Sequence, residues 1–586
     1  MQNILRFMQA VRQIPGVTKR FIISQLLLLG WVVFQLLIPF MIRTLIDQGI
    51  NAGNIEVVAR TALWMVLFAF ISAVLLSVAA GYSVGFAVQA AHGLRVVVYR
   101  KVQNLSFGNL DRFQTSDVLV RLTNDVNIVK QMVMMGNFYL FRAPFMLIGA
   151  VALVFIASRA FFPIIVAVLV ITGILLYIYA RYAEPLFRVV QVKVDLLNRV
   201  LQENLAGVRV VKAFIRAEHE MKRYNERNLV LKKISIKPAR LMAFLEPGVY
   251  LTFNLATAAA LYFGGVSIVQ GTGITTGDIV TFNDYLYLVI APLVMVIIVL
   301  PMLARGEVSM NRLFQVLDAE ADVREKADAQ PLGEIKGRVV FENVTMSYLD
   351  DNGRPNPTPV LKNINLTAEP GQTVAILGAT GSGKSTLVNL IPRFYDVTAG
   401  RVTIDGIDVR DVKLADLRQK VSIALQQAIL FSGNVQENIR YGRPEATQAE
   451  IEEVAKAADA HAFISSHGDG YNRRVAREGA NFSGGQRQRI SLARALAVKP
   501  KILILDDTTS AVDVATETRI QEALTKVAKG VTTFIVAQRI STTIIADNII
   551  LLENGEIVAQ GKHKDLLASS PLYREIYESQ LGKLEE

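Results

Sequence analysis

The chain changes character part-way along. From residue 21 to about residue 305 apolar residues come in long runs, whereas from 338 to 586 they come in short ones between polar turns. A helix needs about 20 predominantly apolar residues to cross a bilayer. Runs of that length begin at roughly residues 21, 58, 136, 161, 241 and 279, which predicts six spans. Two periodic patterns, 58–107 and 161–215, continue far past the hydrocarbon thickness and turn amphipathic and charged, so these helices should project out of the membrane. Residues 318–337, DAEADVREKADAQPLGEIKG, are charged and poorly periodic and read as a linker. Beyond them RVVFENVTMSY, QTVAIL and KILILD read as strands, the last apolar on both faces as a buried parallel strand must be. The expected organisation is a six-helix transmembrane domain over 1–317, a linker over 318–337 and a soluble α/β domain over 338–586.

Composition agrees with that division. Of 586 residues 52% are hydrophobic and only 19% charged, and the length excludes a single core. The net charge of +11 raises nucleic acid as a partner, but no aromatic or basic array supports it, and basic cytoplasmic loops account for the charge. The absence of cysteine excludes disulfides and thiolate metal sites. The first apolar stretch is long and has no small-residue cleavage site after it, so a cleaved signal peptide is not expected. Arg6, Arg12, Lys19 and Arg20 precede the first span; Gln48–Glu56 and Gln270–Asp278 carry no Lys or Arg; Arg159 alone marks the turn between spans three and four. The stretch Arg181–Arg240 holds many basic residues, among them Arg188, Lys193, Arg209, Lys212, Lys222 and Arg223. The positive-inside bias then places both termini and the soluble domain in the cytoplasm, with the chain multi-pass in the plasma (inner) membrane. Arg142, Glu246 and Asp284 are ionisable residues within spans and therefore candidates for function.

The strand QTVAIL runs straight into GATGSGKST, Gly378–Thr386, a complete Walker A pattern in the strand–loop–helix context it requires. Gly378, Gly381 and Gly383, with Thr380 and Ser382, let backbone N–H groups converge on phosphate oxygens, and the following helix adds its dipole. Lys384 reaches the β and γ phosphates, Ser385 ligates Mg²⁺, and Thr386 closes the motif. Asp506, at the end of KILILD, is the carboxylate that holds Mg²⁺ through water. Between the two lies NFSGGQRQR, where Ser483, Gly484, Gly485 and Gln486 open a second anion-binding helix N-terminus without a lysine. Two phosphate cradles in one site are redundant, so the second should close over a nucleotide held by another chain.

With these motifs in order the sequence resembles the ABC transporter superfamily, specifically an exporter half-transporter with an α transmembrane domain followed by an α/β P-loop ATPase domain. The resemblance implies ATP and Mg²⁺ as cofactors and ATP hydrolysis coupled to transport. It also implies that Tyr348 stacks on adenine, that Gln426 in ALQQAILFSG touches Mg²⁺ and senses the membrane domain, and that Ser510–Asp513 form the D-loop. Leu425 stands where the Q-loop usually has proline, and Phe482 where the signature usually has leucine. QTSDVLVRLTNDV and ENLAGVRVVKAF resemble the loops that bear coupling helices.

Two departures concern the γ-phosphate. The glutamate expected after Asp506 is Asp507, and the histidine expected in the switch is Gln538. Hydrolysis needs a carboxylate placed to orient or deprotonate the attacking water. Asp is one methylene shorter, and a misplacement of about 1 Å costs roughly a hundredfold in rate. Gln538 can hydrogen-bond a phosphate but cannot carry the charge of an imidazolium. The pattern resembles the degenerate-site subunit of heterodimeric bacterial multidrug exporters, with Asp507, Gln538 and Gln426 as catalytic residues. It implies a second half-transporter chain as partner and an amphiphilic substrate, towards cationic compounds if Glu246 and Asp284 line the pathway. The alternatives are a lipid or peptide exporter, a homodimer with slow ATPase, and an ATP-binding sensor that does not pump.

Overall fold

The computed structural model describes residues 6–581, apart from 8, 10, 11, 13, 158, 351, 352, 509–513 and 528. They form two compact units, Met1–Val102 with Ser116–Asp318, and Gln103–Thr115 with Ala319–Glu586.

The first unit is helical. Among the described residues, six helices are long and apolar enough to cross a membrane: Val17–Ile50, Ile55–Gln103, Thr115–Ala157, Arg159–Ala206, Ala217–Val269 and Thr276–Met295. Their shared core is built from Val32 and Leu36 of the first, Met146, Ala150 and Val154 of the third, Phe253 of the fifth, and Phe282, Tyr285 and Val289 of the sixth. Two buried polar side chains of the sixth helix find partners on the first, as groups shielded from water require. The Tyr285 hydroxyl donates to the Leu36 carbonyl and Thr281 to that of Pro39, each at 3.1 Å. The second and fourth helices run 49 and 48 residues, well beyond a bilayer's thickness.

The second unit is α/β. Its central sheet has six strands in the order β12-β11-β3-β10-β9-β6. These are β3 (Thr373–Leu377), β6 (Val421–Ala424), β9 (Ile502–Asp506), β10 (Thr532–Val536), β11 (Asn548–Glu553) and β12 (Glu556–Gly561). All neighbours pair in parallel except β11 with β12. Every residue of β9 and β10 is buried, the requirement for strands covered on both faces. A smaller sheet, in the order β2-β1-β4-β5, is formed by β1 (Val339–Met346), β2 (Leu361–Ala368), β4 (Ala399–Ile404) and β5 (Ile407–Asp408). A two-stranded ribbon pairs β7 (Gly433–Asn434) with β8 (Arg474–Val475).

Two boundaries differ from the sequence expectation. The stretch expected to be a linker packs into the second unit, burying Val323, Ala329, Leu332 and Ile335, and Gln330 bridges to Val412. The segment forms no helix or strand after Asp318, and its buried positions are unevenly spaced, so no regular period marks them. The other is the short helix Phe107–Arg112, which also belongs to the second unit and lies ahead of the stretch QTSDVLVRLTNDV singled out as a coupling segment. Phe107 stacks on Phe394 with ring centres 4.1 Å apart, and Arg112 pairs with Asp322 at 2.7 Å. The second expected coupling stretch contains the helix Val208–Ala213, which buries none of its residues in this chain.

Candidate functional site

Parallel strands end their carboxyl edges together, so the loops that follow them converge. Here four adjacent strands, β3, β10, β9 and β6, deliver in that order the loop Gly378–Thr386, Gln538, the pair Asp506–Asp507, and Gln426. Residues as distant in the chain as Gly378 and Gln538 thus meet because sheet order brings them together.

The glycine loop is a cradle whose three glycines are required for different reasons. A Cβ on Gly378 would lie 2.2 Å from the Leu552 carbonyl oxygen, so close approach excludes a side chain there. Gly383 has φ 101° with the Leu361 side chain 2.9 Å from where its Cβ would be, so both conformation and space exclude one. Gly381 differs from these two: a Cβ on it would meet nothing within 4 Å, and its φ of 85° alone calls for glycine. The Lys384 ammonium donates to the carbonyls of Gly378 and Ala379, both at 2.8 Å, which folds it across the loop. Burial lowers the Lys384 pKa, opposed by the nearby Asp507 and Asp506 carboxylates. The Ser382 hydroxyl is buried with no hydrogen-bond partner among the described residues, and a phosphate oxygen would satisfy it. Ser385 Oγ donates to Asp506 Oδ1 at 2.9 Å, bringing two hard oxygen ligands together. That donor set suits Mg²⁺, which takes one or two protein oxygens and completes its shell with water and phosphate. Burial raises the Asp506 pKa, with Ser385 opposing and Asp507 adding to the rise.

Asp507 follows β9 with φ 50°, a left-handed conformation that aspartate tolerates better than most residues. Its N–H donates to the Val536 carbonyl at 3.1 Å, which fixes the reversal. Its carboxylate Oδ2 accepts from the Gln538 side-chain amide at 2.9 Å and from that of Gln426 at 3.3 Å. The two departures from the family pattern are therefore one hydrogen-bonded pair. Burial raises the Asp507 pKa, and the Gln426 amide, Lys384, the Gln538 amide and Arg539 oppose it.

Tyr348 lies beside this loop. Its hydroxyl is 2.9 Å from that of Thr386, and its ring meets Tyr395 edge-on at 5.1 Å. Ser347, Tyr348, Leu349, Phe394 and Tyr395 line a cavity of about 710 Å³ together with Asp111 and Arg112 of the Phe107–Arg112 helix. The Tyr395 hydroxyl donates to Asp111 at 2.6 Å.

The signature residues stand apart from this assembly. Ser483 caps the helix Gly484–Ala497: its hydroxyl accepts from the Gln486 N–H at 3.3 Å, and its own N–H donates to Gln486 Oε1 at 3.0 Å. Gly484 borders a different cavity, of about 480 Å³, shared with Gln426. Phe482, in place of leucine, is buried under the Arg473 guanidinium at 4.3 Å from its ring centre. The expected D-loop, Ser510–Asp513, lies outside the described residues.

One contact had no signal in the sequence. Gln580, in the helix Pro571–Leu581, accepts from the Ile540 N–H at 2.8 Å and donates to the Gln538 carbonyl at 3.0 Å, so it grips the switch segment on both sides.

Comparison with known proteins agrees with this architecture. The model of the ABC transporter transmembrane region matches residues 21–293, and that of the ABC transporter domain matches residues 361–510. The chain is 36% identical to an ATP-dependent lipid A-core flippase of Syntrophus aciditrophicus over 490 residues, 83% of this chain and 80% of that protein. It is 35% identical to a Staphylococcus aureus protein provisionally named as a multidrug export ATP-binding/permease protein, covering 83% of this chain and 84% of that one. A solved bacterial Atm1-family ABC exporter with ATP bound superposes with a TM-score of 0.81 at 26% identity, covering 96% of this chain and 99% of the other. The second unit accordingly binds ATP with Mg²⁺ and couples its hydrolysis to transport. Six apolar helices joined in one chain to a P-loop unit make this protein a member of the ABC transporter family, with the fold of an exporter half-transporter.

Proposed function

We propose that the chain is one half of a heterodimer that exports amphiphilic drugs or other hydrophobic compounds across the plasma membrane. The observation that carries this reading is the hydrogen bond from Gln538 to Asp507. The Gln538 and Gln426 amide N–H groups both fall on Asp507 Oδ2, so they compete with an attacking water for that carboxylate oxygen. The carboxylate is also one methylene short, and its partner carries no charge. Such a site grips ATP through Lys384, Ser385 and Asp506 and turns it over slowly. The capped FSGGQ helix remains available to complete a competent site on a partner chain. Two copies of this chain would pair two weak sites, which favours a different partner. Basic residues ahead of the first span and throughout Arg181–Arg240 support cytoplasmic termini.

The test measures ATPase and dye efflux in vesicles for this chain alone, for a second half-transporter from the same genome with Glu and His at the positions of Asp507 and Gln538, and for both. The pair should exceed this chain alone by at least about tenfold, the scale of a carboxylate misplacement. Equal turnover by this chain alone would establish a homodimer and remove the proposal. A second reading, lipid export, is favoured by the relative named as a lipid A-core flippase; flipping of a labelled phospholipid in the same vesicles, without dye efflux, would select it.

A further inference from the structure

Arg142 places a charge where charge is most costly. It opens the helix Arg142–Ala157 inside the third span. Its guanidinium carbon lies 5.0 Å from the ring centre of Trp31, 4.9 Å from that of Phe138 and 4.8 Å from that of Tyr139. Trp31 stands halfway along Val17–Thr44, so the cation lies level with the middle of the first apolar helix and far from either end, where long basic side chains usually escape. Among the described residues the guanidinium has no hydrogen bond and no ion pair; the three rings are its contacts. The negative ring faces offset part of the loss of water. They leave the N–H donors without acceptors, and a lipid tail supplies none.

The cage is also held rigid from one side. Phe138 and Tyr139 belong to a widened helical turn, Gly136–Leu140, of the kind that often marks functional positions. In the same turn the Asn137 amide donates to Ser83 at 2.8 Å and to Ser24 at 3.1 Å, and accepts from Gln25 at 2.6 Å. That network ties the first three spans together beside the rings. Leu140, Phe141 and Phe145 leave exposed apolar surface next to the cation. Of the two acidic candidates in the spans, Glu246 is exposed and Asp284 is half-buried, as Arg142 is.

We propose that Arg142, on the rings of Trp31, Phe138 and Tyr139, is an anion-binding site within the spans that takes the phosphate, sulfate or carboxylate headgroup of an amphiphile whose apolar part lies on the neighbouring surface. The inference rests on the export reading for its place in a transport pathway, but the binding itself is measured without transport. It reverses the charge preference that Glu246 and Asp284 alone would suggest.

Trp31 is both part of the cage and one of only two tryptophans, so it reports on its own site. In the full chain carrying Trp64→Phe, in phosphatidylcholine nanodiscs with and without the partner, dodecyl phosphate should change Trp31 emission saturably. Dodecyltrimethylammonium should bind at least tenfold more weakly. Arg142→Gln should weaken the phosphate response at least tenfold and erase the preference, while Arg142→Lys should retain the preference. If nanodiscs containing phosphatidylglycerol already give the saturated emission, the anion is a membrane lipid headgroup; if only the added probe does, it is a transported amphiphile. Equal affinity for the two probes, or a response unchanged by Arg142→Gln, overturns the proposal. Should Arg142→Gln fail to fold, the charge preference of the Trp64→Phe chain decides alone. Anion-selective binding without ATP-driven efflux by the pair would remove the export reading and leave the site standing.

Discussion

At one end of the phosphate site the loop Gly378–Thr386 keeps every residue of its motif; at the other, Asp507 and Gln538 depart from theirs together. Both ends hang from neighbouring strands of one parallel sheet, so the difference is not one of scaffold. It lies in how each end meets its ligand. The first works by backbone N–H groups and one ammonium, held in place by glycines whose backbone angles or close neighbours shut out other residues. The second works by side-chain reach, and reach is what a shorter carboxylate gives up. On the proposed reading, gripping a nucleotide and activating water are separable, and this chain keeps the first while giving up most of the second.

Mutations sharpen that contrast in descending order of effect. Lys384→Ala should weaken ATP binding at this chain's own loop by about a hundredfold or more, the scale of lost charge-assisted hydrogen bonds, read by a fluorescent nucleotide on the purified chain. Binding unchanged by that substitution would break the comparison at its stronger end. Next, Asp507→Glu combined with Gln538→His should raise turnover by this chain alone by roughly tenfold to a hundredfold. Asp507→Glu by itself should give less, because at φ 50° the backbone conformation disfavours the longer side chain by about 1 kcal/mol, and because Gln538 remains neutral. Steady-state ATPase of the three variants checks the order.

A third effect depends on pH. Burial raises the pKa of both Asp506 and Asp507, so as pH falls they take up protons earlier than free carboxyls do. Mg²⁺ needs the ionised form and competes with those protons. Mg²⁺ dependence of nucleotide binding should therefore weaken at a higher pH than an ordinary aspartate's range would give, and Asp506→Asn should flatten the profile. Last, Gln580→Ala should change turnover by a few-fold and at most about tenfold, the worth of two neutral hydrogen bonds, with nucleotide affinity unchanged.

Much of this is legible in the residues. The six apolar runs and the strands RVVFENVTMSY, QTVAIL and KILILD carry their own periodicity, and the glycine loop has a spacing that serves no other chemistry. What escapes is whatever depends on partners distant in sequence. The segment 318–337 reads as a tether because its four buried residues are unevenly spaced and make no period. The helix Phe107–Arg112 is only six residues long, too short for any amphipathic signal, and takes its position from Phe394, Tyr395 and Asp322. Asp507 and Gln538 are each visible as departures, but that they bond to one another follows from β9 and β10 being neighbours, which no local pattern reports. Gln580 is an ordinary helix glutamine until the fold sets it against the switch segment.

That last contact has a practical consequence. Because Gln580 holds the backbone at Gln538 and at Ile540, any rearrangement of the switch segment must either move the helix Pro571–Leu581 or break two hydrogen bonds to it. A spectroscopic label on the exposed Glu575 of that helix would then follow the chemical state of a nucleotide it never touches. By the same token, an affinity handle that crowds this helix is not a neutral addition, and turnover measured with one in place describes a protein already perturbed at its switch.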